Sequence, residues 1–234
     1  MPHQYSHPET RWSLVATASQ GNAQGQRARE TLCNDYRLPV YAHLRRSGHS
    51  PKQAAALCKD FLVLLNTKLA SKDPELPNRF RNFLFDQLQQ YLAANPEIEI
   101  AELDEEWAKL ERRLQGEAPS EGDAELIFRR HFAQALTERA LERLRQEAGS
   151  GGHEELFETL SPYLTSTPGS GEYENLSQQT GLSGSSLAMA LRRLRRRLRE
   201  LVIDEVAQTL DKPEAIAEEQ ASLAEALSAK EESS

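Results

Sequence analysis

Six arginines fall within the eight positions from Arg192 to Arg199, in the stretch "ALRRLRRRLRE". A guanidinium is permanently charged and presents a planar fork of donors that matches phosphate or carboxylate. No acidic residue lies among the six, so on one helix they repel one another unless an anion is near. Binding of a phosphate backbone is the chemistry this spacing suits, because only such a partner engages several forks at once. The alternative is a solvated face with ion pairs to Glu200 or to the acidic residues beyond it.

The elements that hold these arginines are legible in the neighbouring residues. Leu187, Leu191, Leu194, Leu198 and Leu201 are spaced 4, 3, 4 and 3 apart, one apolar stripe on a helix. Upstream, "YENLSQQTGLSG" predicts a short helix over about 172–179, with Leu176 facing inward and Ser177 small enough for a close crossing. Gly181 sits where a left-handed turn costs a Cβ-bearing residue about 1 kcal/mol or more. Leu182 is expected to pack beneath that turn, and Ser183 to cap the second helix. The pattern is a helix-turn-helix, whose second helix is the one that enters DNA. Its exposed early positions are Gly184, Ser185, Ser186, Ala188 and Met189, none with a bidentate base-reading side chain. Arg192 and Arg193 are the nearest candidates for a guanine edge.

A second basic stretch, "NRFRNFLFDQLQQYLAAN", interleaves Arg79 and Arg81 with Phe80, Phe83, Phe85 and Tyr91. Phe80 shares a stripe with Leu84, Leu88 and Leu92 and reads as core. Phe83, Tyr91, Asn82, Gln87, Gln89 and Gln90 are less easily absorbed there. Exposed aromatics stack on unpaired bases at about 1–3 kcal/mol each.

The chain has 234 residues, enough for one large or two small domains, and a formal net charge of −8. That charge is segregated. Residues 97–125 hold 11 acidic and 3 basic side chains, and residues 200–234 hold 10 and 2. The remainder is net basic, so the overall sign says little about either basic block. No apolar run approaches the roughly 20 residues that span a bilayer. The N-terminal stretch also lacks a basic segment followed by an apolar core, so no secretory signal is expected. Cys33 and Cys58 are too few for a disulfide framework and read as free thiols. Six scattered histidines and the absence of a glycine-rich loop after a strand argue against an enzyme and against any cofactor. The spacing of Cys33, His43, His49 and Cys58 fits no common zinc site.

Helical periodicity throughout, with no strand alternation, predicts an all-α fold of two small helical domains joined by an acidic linker. The expected division is a disordered segment over 1–10, a helical domain over 11–95, and the linker over 96–122 with a short helix near Trp107. The helix-turn-helix domain follows over 123–211 and an acidic tail over 212–234. Ser50 and Pro51 mark a helix start, and Pro39 interrupts the pattern before it.

The segments "TRWSLVATA", "YAHLRRSGHSPKQAA", "NRFRNFLFDQLQQYL", "IFRRHFAQALTERALERLR" and "YENLSQQTGLSGSSLAMALRRLRRRLRE", in this order, resemble the extracytoplasmic-function type of bacterial RNA polymerase sigma factor. The resemblance runs from Thr10 to about Asp211. It implies that the first domain docks on the polymerase clamp and captures the melted minus-ten strand. The second would bind the minus-thirty-five element and touch the polymerase flap. By position, Arg79, Arg81, Asn82, Phe83, Gln87 and Gln90 would face the minus-ten strand. Ser183, Ser185, Ser186, Met189, Arg192, Arg193 and Arg196 would face the minus-thirty-five groove. Lys52, Gln53, Ala56 and Asp60 occupy clamp-facing positions; with Ala55, they stand where the family carries several carboxylates, and only Asp60 is acidic. The implied partners are promoter DNA and core RNA polymerase in the cytoplasm, with room for an anti-sigma factor and no membrane. Two further readings follow from the departures: a sigma-like DNA-binding regulator that no longer engages the clamp, and a protein whose acidic tail masks the arginine helix.

Overall fold

The computed structural model describes residues 11–71, 79–95, 103–115, 124–169, 171–210 and 212–228. The expectations for 1–10, for the break near 72–78 and for both ends of the acidic segment lie outside these residues. The fold is all-α: ten helices and two short 3-10 turns, with one isolated antiparallel bridge between Arg79 and Leu210, make up its regular structure among the described residues.

The chain divides into two compact units, Met1–Ala135 with Val206–Ser234, and Leu136–Glu205. In the first, α1 (Arg11–Ala18), α2 (Ala23–Arg46), α3 (Pro51–Leu69) and α4 (Phe80–Ala94) surround a core that includes Leu32, Tyr36, Leu44, Phe61, Leu65, Leu84 and Leu88. The turn from α1 into α2 needs Gly25, where a Cβ would stand 2.0 Å from the Gln20 carbonyl oxygen. α2 runs unbroken through Pro39, which is buried within it. The interruption expected at Pro39 therefore does not occur, although its ring removes one helical N–H donor. α3 starts as its sequence dictates: Ser50 Oγ accepts from Gln53 N–H at 3.3 Å, Gln53 Oε1 accepts from Ser50 N–H at 2.9 Å, and Pro51 takes the first turn.

The division does not follow the charge boundaries. α5 (Glu105–Gln115) lies in the acidic segment read as a linker, yet it docks on α2. Trp107 is buried against Tyr41, with the Arg37 guanidinium over its ring. Glu111 is buried too; its carboxylate accepts from Tyr41 Oη at 2.7 Å and from Arg45 Nε at 2.8 Å. Counting charge hid the apolar face of this helix and the partner of its buried acid. α6 (Ala124–Ser150) belongs to both units. Its first half enters the first core, where Phe132 stacks on Tyr36 with centroids 5.1 Å apart.

The acidic tail is likewise part of the first unit. α10 (Ile216–Ser228) buries Glu219, Leu223 and Ala226, and Phe80 N–H donates to Thr209 O at 3.1 Å. Its carboxylates sit on Arg79, Arg81 and Arg129.

In the second unit, the rest of α6, α7 (Glu154–Leu160), α8 (Glu172–Thr180) and α9 (Gly184–Ala207) share one core. Ala140, Leu144, Phe157, Leu160, Leu164, Leu176, Leu187, Leu191 and Leu201 are buried in it.

Candidate nucleic-acid interface

α8 ends at Gly181, whose φ of 70° is the left-handed conformation the turn requires. Ser183 Oγ accepts from Ser186 N–H at 3.2 Å, capping α9 as expected. The same hydroxyl lies 2.9 Å from both Ser185 Oγ and Ser186 Oγ, so the three serines are tied into one cap. Leu182, expected beneath the turn, is exposed instead, because Leu176 and Leu187 already fill the space on the core side.

α9 has two faces set by its period. The leucine stripe faces the core, with Leu187, Leu191 and Leu201 buried and Leu194 and Leu198 half-buried. Opposite it, Ser185, Met189, Arg192, Arg196, Arg199 and Ile203 recur 4, 3, 4, 3 and 4 apart, and all six are exposed. The arginines divide by position. Arg197 turns toward α6, where Nε and Nη2 each donate to Glu147 at 2.8 Å, and Nη1 donates to Glu200 at 2.9 Å. These carboxylates hold the guanidinium more firmly protonated than usual, and Glu147 is held below the usual carboxylate range by Arg197. Arg195 donates to the Tyr163 and Ser166 carbonyls. Arg196 lies 3.6 Å from Glu200 but is largely exposed. Arg192, Arg193 and Arg199 make no hydrogen bond or ion pair among the described residues. The repulsion expected among six bare cations is therefore offset by carboxylates at two of them, Arg196 and Arg197.

A shallow cavity of about 300 Å³ opens between α8 and α9, lined by Tyr173, Ala188, Leu191, Arg192, Arg195 and Arg199. Its three arginines lie on one side of α9 and give the cavity a cationic lining. Tyr173 was not singled out from sequence, and Arg199 only as one of the six arginines. The signal for Arg199 was present, since it continues the exposed line by one helical step.

The second basic stretch is placed differently. Arg81 is buried, and Nε and Nη2 donate to the two oxygens of buried Glu219 at 2.8 and 3.1 Å. Arg79 pairs with Glu218 at 2.6 Å. Neither is available to DNA while α10 is in place. Phe83 and Tyr91 are core residues, against Phe80 (6.0 Å) and Phe61 (5.8 Å). Lys68 Nζ donates to Gln87, and Gln89 bonds to His43 at 3.2 Å. Only Asn82 and Gln90, with Gln89, stay exposed on this helix among the residues proposed for nucleic acid. Phe80, Phe83, Leu84, Gln87, Leu88 and Tyr91 follow the 3, 4 pattern of one wide face, so the burial of Phe83 and Tyr91 was legible in their spacing.

Of the clamp-facing positions on α3, Lys52 and Asp60 are exposed and Ala56 is half-buried. Gln53 completes the α3 cap, and Ala55 is buried in the core, so neither is a free docking side chain. Both cysteines donate to carbonyls, Cys33 to Leu62 and Cys58 to Arg37. Burial pushes the Cys33 thiol up to about 11 and Cys58 higher still, so both are protonated at neutral pH. Among the described residues no cluster of His, Cys, Asp or Glu is placed to hold a metal ion, and no helix is long and apolar enough to cross a membrane.

No family model matches the chain, and neither a curated protein nor a solved structure matches it.

Proposed function

We propose that the chain is a sigma-factor-like protein of bacterial transcription initiation that binds promoter DNA through α8 and α9 and joins core RNA polymerase in the cytoplasm. The observation that carries this reading is the exposed line of Arg192, Arg196 and Arg199 on α9, directly after a glycine turn and a serine cap. In this reading the N-terminal part of α9 enters the major groove, and the arginines seat backbone phosphates on either side. Phosphate contacts fix position and affinity, whereas the base-facing residues are few and small. The polymerase clamp would meet the exposed face of α3 around Lys52, Ala56 and Asp60.

A second reading, a DNA-binding regulator that does not engage the clamp, is favoured by the scarcity of carboxylates on the exposed α3 face, where Asp60 stands with Lys52 and Ala56 as the one acid, and by the pairing of Arg79 and Arg81 with α10. Co-purification with bacterial core RNA polymerase separates the two. The full chain binds core in the first reading. In the second it does not, and Lys52→Glu with Ala56→Asp restores binding by returning carboxylates without disturbing the α3 cap or core. Failure of both proteins to bind core removes the sigma-like reading.

A further inference from the structure

Arg45, Arg81, Arg139, Arg143 and Arg197 each meet a carboxylate of another helix. A cavity of about 450 Å³ on the first unit is balanced in the same way: Arg37 and Lys59 share its lining with Glu30, Asp104 and Glu106. The cavity between α8 and α9 is lined differently. Arg192, Arg195 and Arg199 meet there with Tyr173, Ala188 and Leu191, and no acidic side chain belongs to the lining.

The three arginines are 3 and 4 positions apart, so they share one side of α9 over two turns, and like charges at this spacing repel. Arg195 is already fixed: Nε and Nη2 donate to the Tyr163 carbonyl at 3.3 and 2.8 Å, and Nη2 also donates to the Ser166 carbonyl. Its Nη1 has no partner among the described residues, and neither have Arg192, Arg199 or the Tyr173 hydroxyl. A fork held in place before the ligand arrives loses less freedom on binding than a mobile one.

The volume, about 300 Å³, lies at the lower end for small-ligand sites, too small for a duplex and enough for a short phosphate chain. A terminal phosphoryl group carries close to two negative charges and three strong acceptor oxygens, whereas a DNA backbone phosphate carries one charge. Three arginines around one recess suit the first. The exposed line of Arg192, Arg196 and Arg199 suits the second, and the two arrangements share Arg192 and Arg199.

We propose that this cavity binds a small oligophosphate, the phosphate chain of a nucleotide or of an inorganic polyphosphate, and that its occupant competes with duplex DNA for Arg192 and Arg199. The competition rests on the DNA-binding reading of α9; the site itself does not.

Isothermal titration calorimetry of the full chain with ATP and with inorganic triphosphate, in magnesium-free buffer at fixed ionic strength, tests the site. Each should bind once per chain. Ala188→Glu puts a carboxylate into the exposed lining one turn before Arg192, and should weaken both by about tenfold or more without touching the core. Arg193→Ser and Arg196→Ser, exposed on α9 but outside the lining, should change binding less than about twofold. Tighter binding of ATP, with the difference lost in Tyr173→Leu, assigns the site to nucleotides; equal affinities assign it to the phosphate chain alone. At about ten times its Kd the anion should weaken duplex binding about tenfold by mass action. Absence of saturable binding, equal losses in Arg193→Ser and Ala188→Glu, or a bound anion that leaves a measurable duplex affinity unchanged overturns the proposal. A chain that binds the anion at this site but binds no duplex upholds the site and removes the α9 reading together with the competition.

Discussion

Replacing Arg192, Arg196 and Arg199 with serine removes three exposed charges from α9; among the described residues only Arg196 of the three has an ion-pair partner, Glu200 at 3.6 Å. Each phosphate neutralised adds about 0.9 to the slope of log affinity against log salt on duplex DNA, so three contacts add about 2.7. Between about 50 and 200 mM salt the wild-type affinity should then fall about 40-fold further than that of the variant. Fluorescence anisotropy on a labelled duplex at four or more salt concentrations reads both slopes directly. Arg197→Ser is the control: its guanidinium faces Glu147 and Glu200, so it should leave the slope unchanged and cost about 1 kcal/mol or less of stability. A folded triple variant whose slope stays within one unit of wild type would show that this line does not lie on phosphate.

Other consequences follow from single residues. Met189 is 57 % exposed on the line that precedes the arginines, and the thymine methyl is the apolar group a major groove offers; replacing thymine by uracil in a preferred site should weaken binding about fourfold, and Met189→Ala should abolish the difference. Gly181→Ala should destabilise the second unit by about 1–2 kcal/mol in urea, with Gly181→Asn milder, because φ is positive and no atom lies within 4 Å of the added Cβ. His131 is buried and held down to about 4, chiefly by desolvation and then by Arg46. The unfolded chain therefore takes up this proton first, and stability should fall by about 3 kcal/mol as pH drops from 6.5 to 4, a loss absent from His131→Phe in paired thermal scans. Arg45→Ala leaves the buried Glu111 carboxylate with only Tyr41 and a long contact from Gln115 at 3.4 Å, and should cost about 2–4 kcal/mol at pH 7. Glu111 is held below its usual range first by Arg45, so that cost should shrink as acid protonates it.

The local features of this chain were legible because each depends on residues a few positions apart. Ser50 with Pro51 and Gln53, Gly181 with Ser183, and the opposed leucine and arginine lines of α9 all follow from caps and helical period. What sequence could not supply is the partner of a charge. Arg81 meets Glu219 across 138 positions, and no periodicity links them, so an arginine read as free for DNA is a buried half of an ion pair. Trp107 and Glu111 were absorbed into a linker by the acidity around them, although one face of that helix is covered. The six arginines looked alike in sequence; Glu147, in the last turn of α6, distinguishes Arg197 from Arg192 only after folding.

The proposed role in transcription initiation is read out by a run-off assay on a randomised promoter library. Core RNA polymerase supplemented with the full chain should initiate at defined positions that core alone does not use, downstream of an enriched motif pair. Loss of initiation in the Arg192→Ser, Arg196→Ser, Arg199→Ser variant should accompany it. An unchanged distribution of start sites at saturating protein would contradict the account.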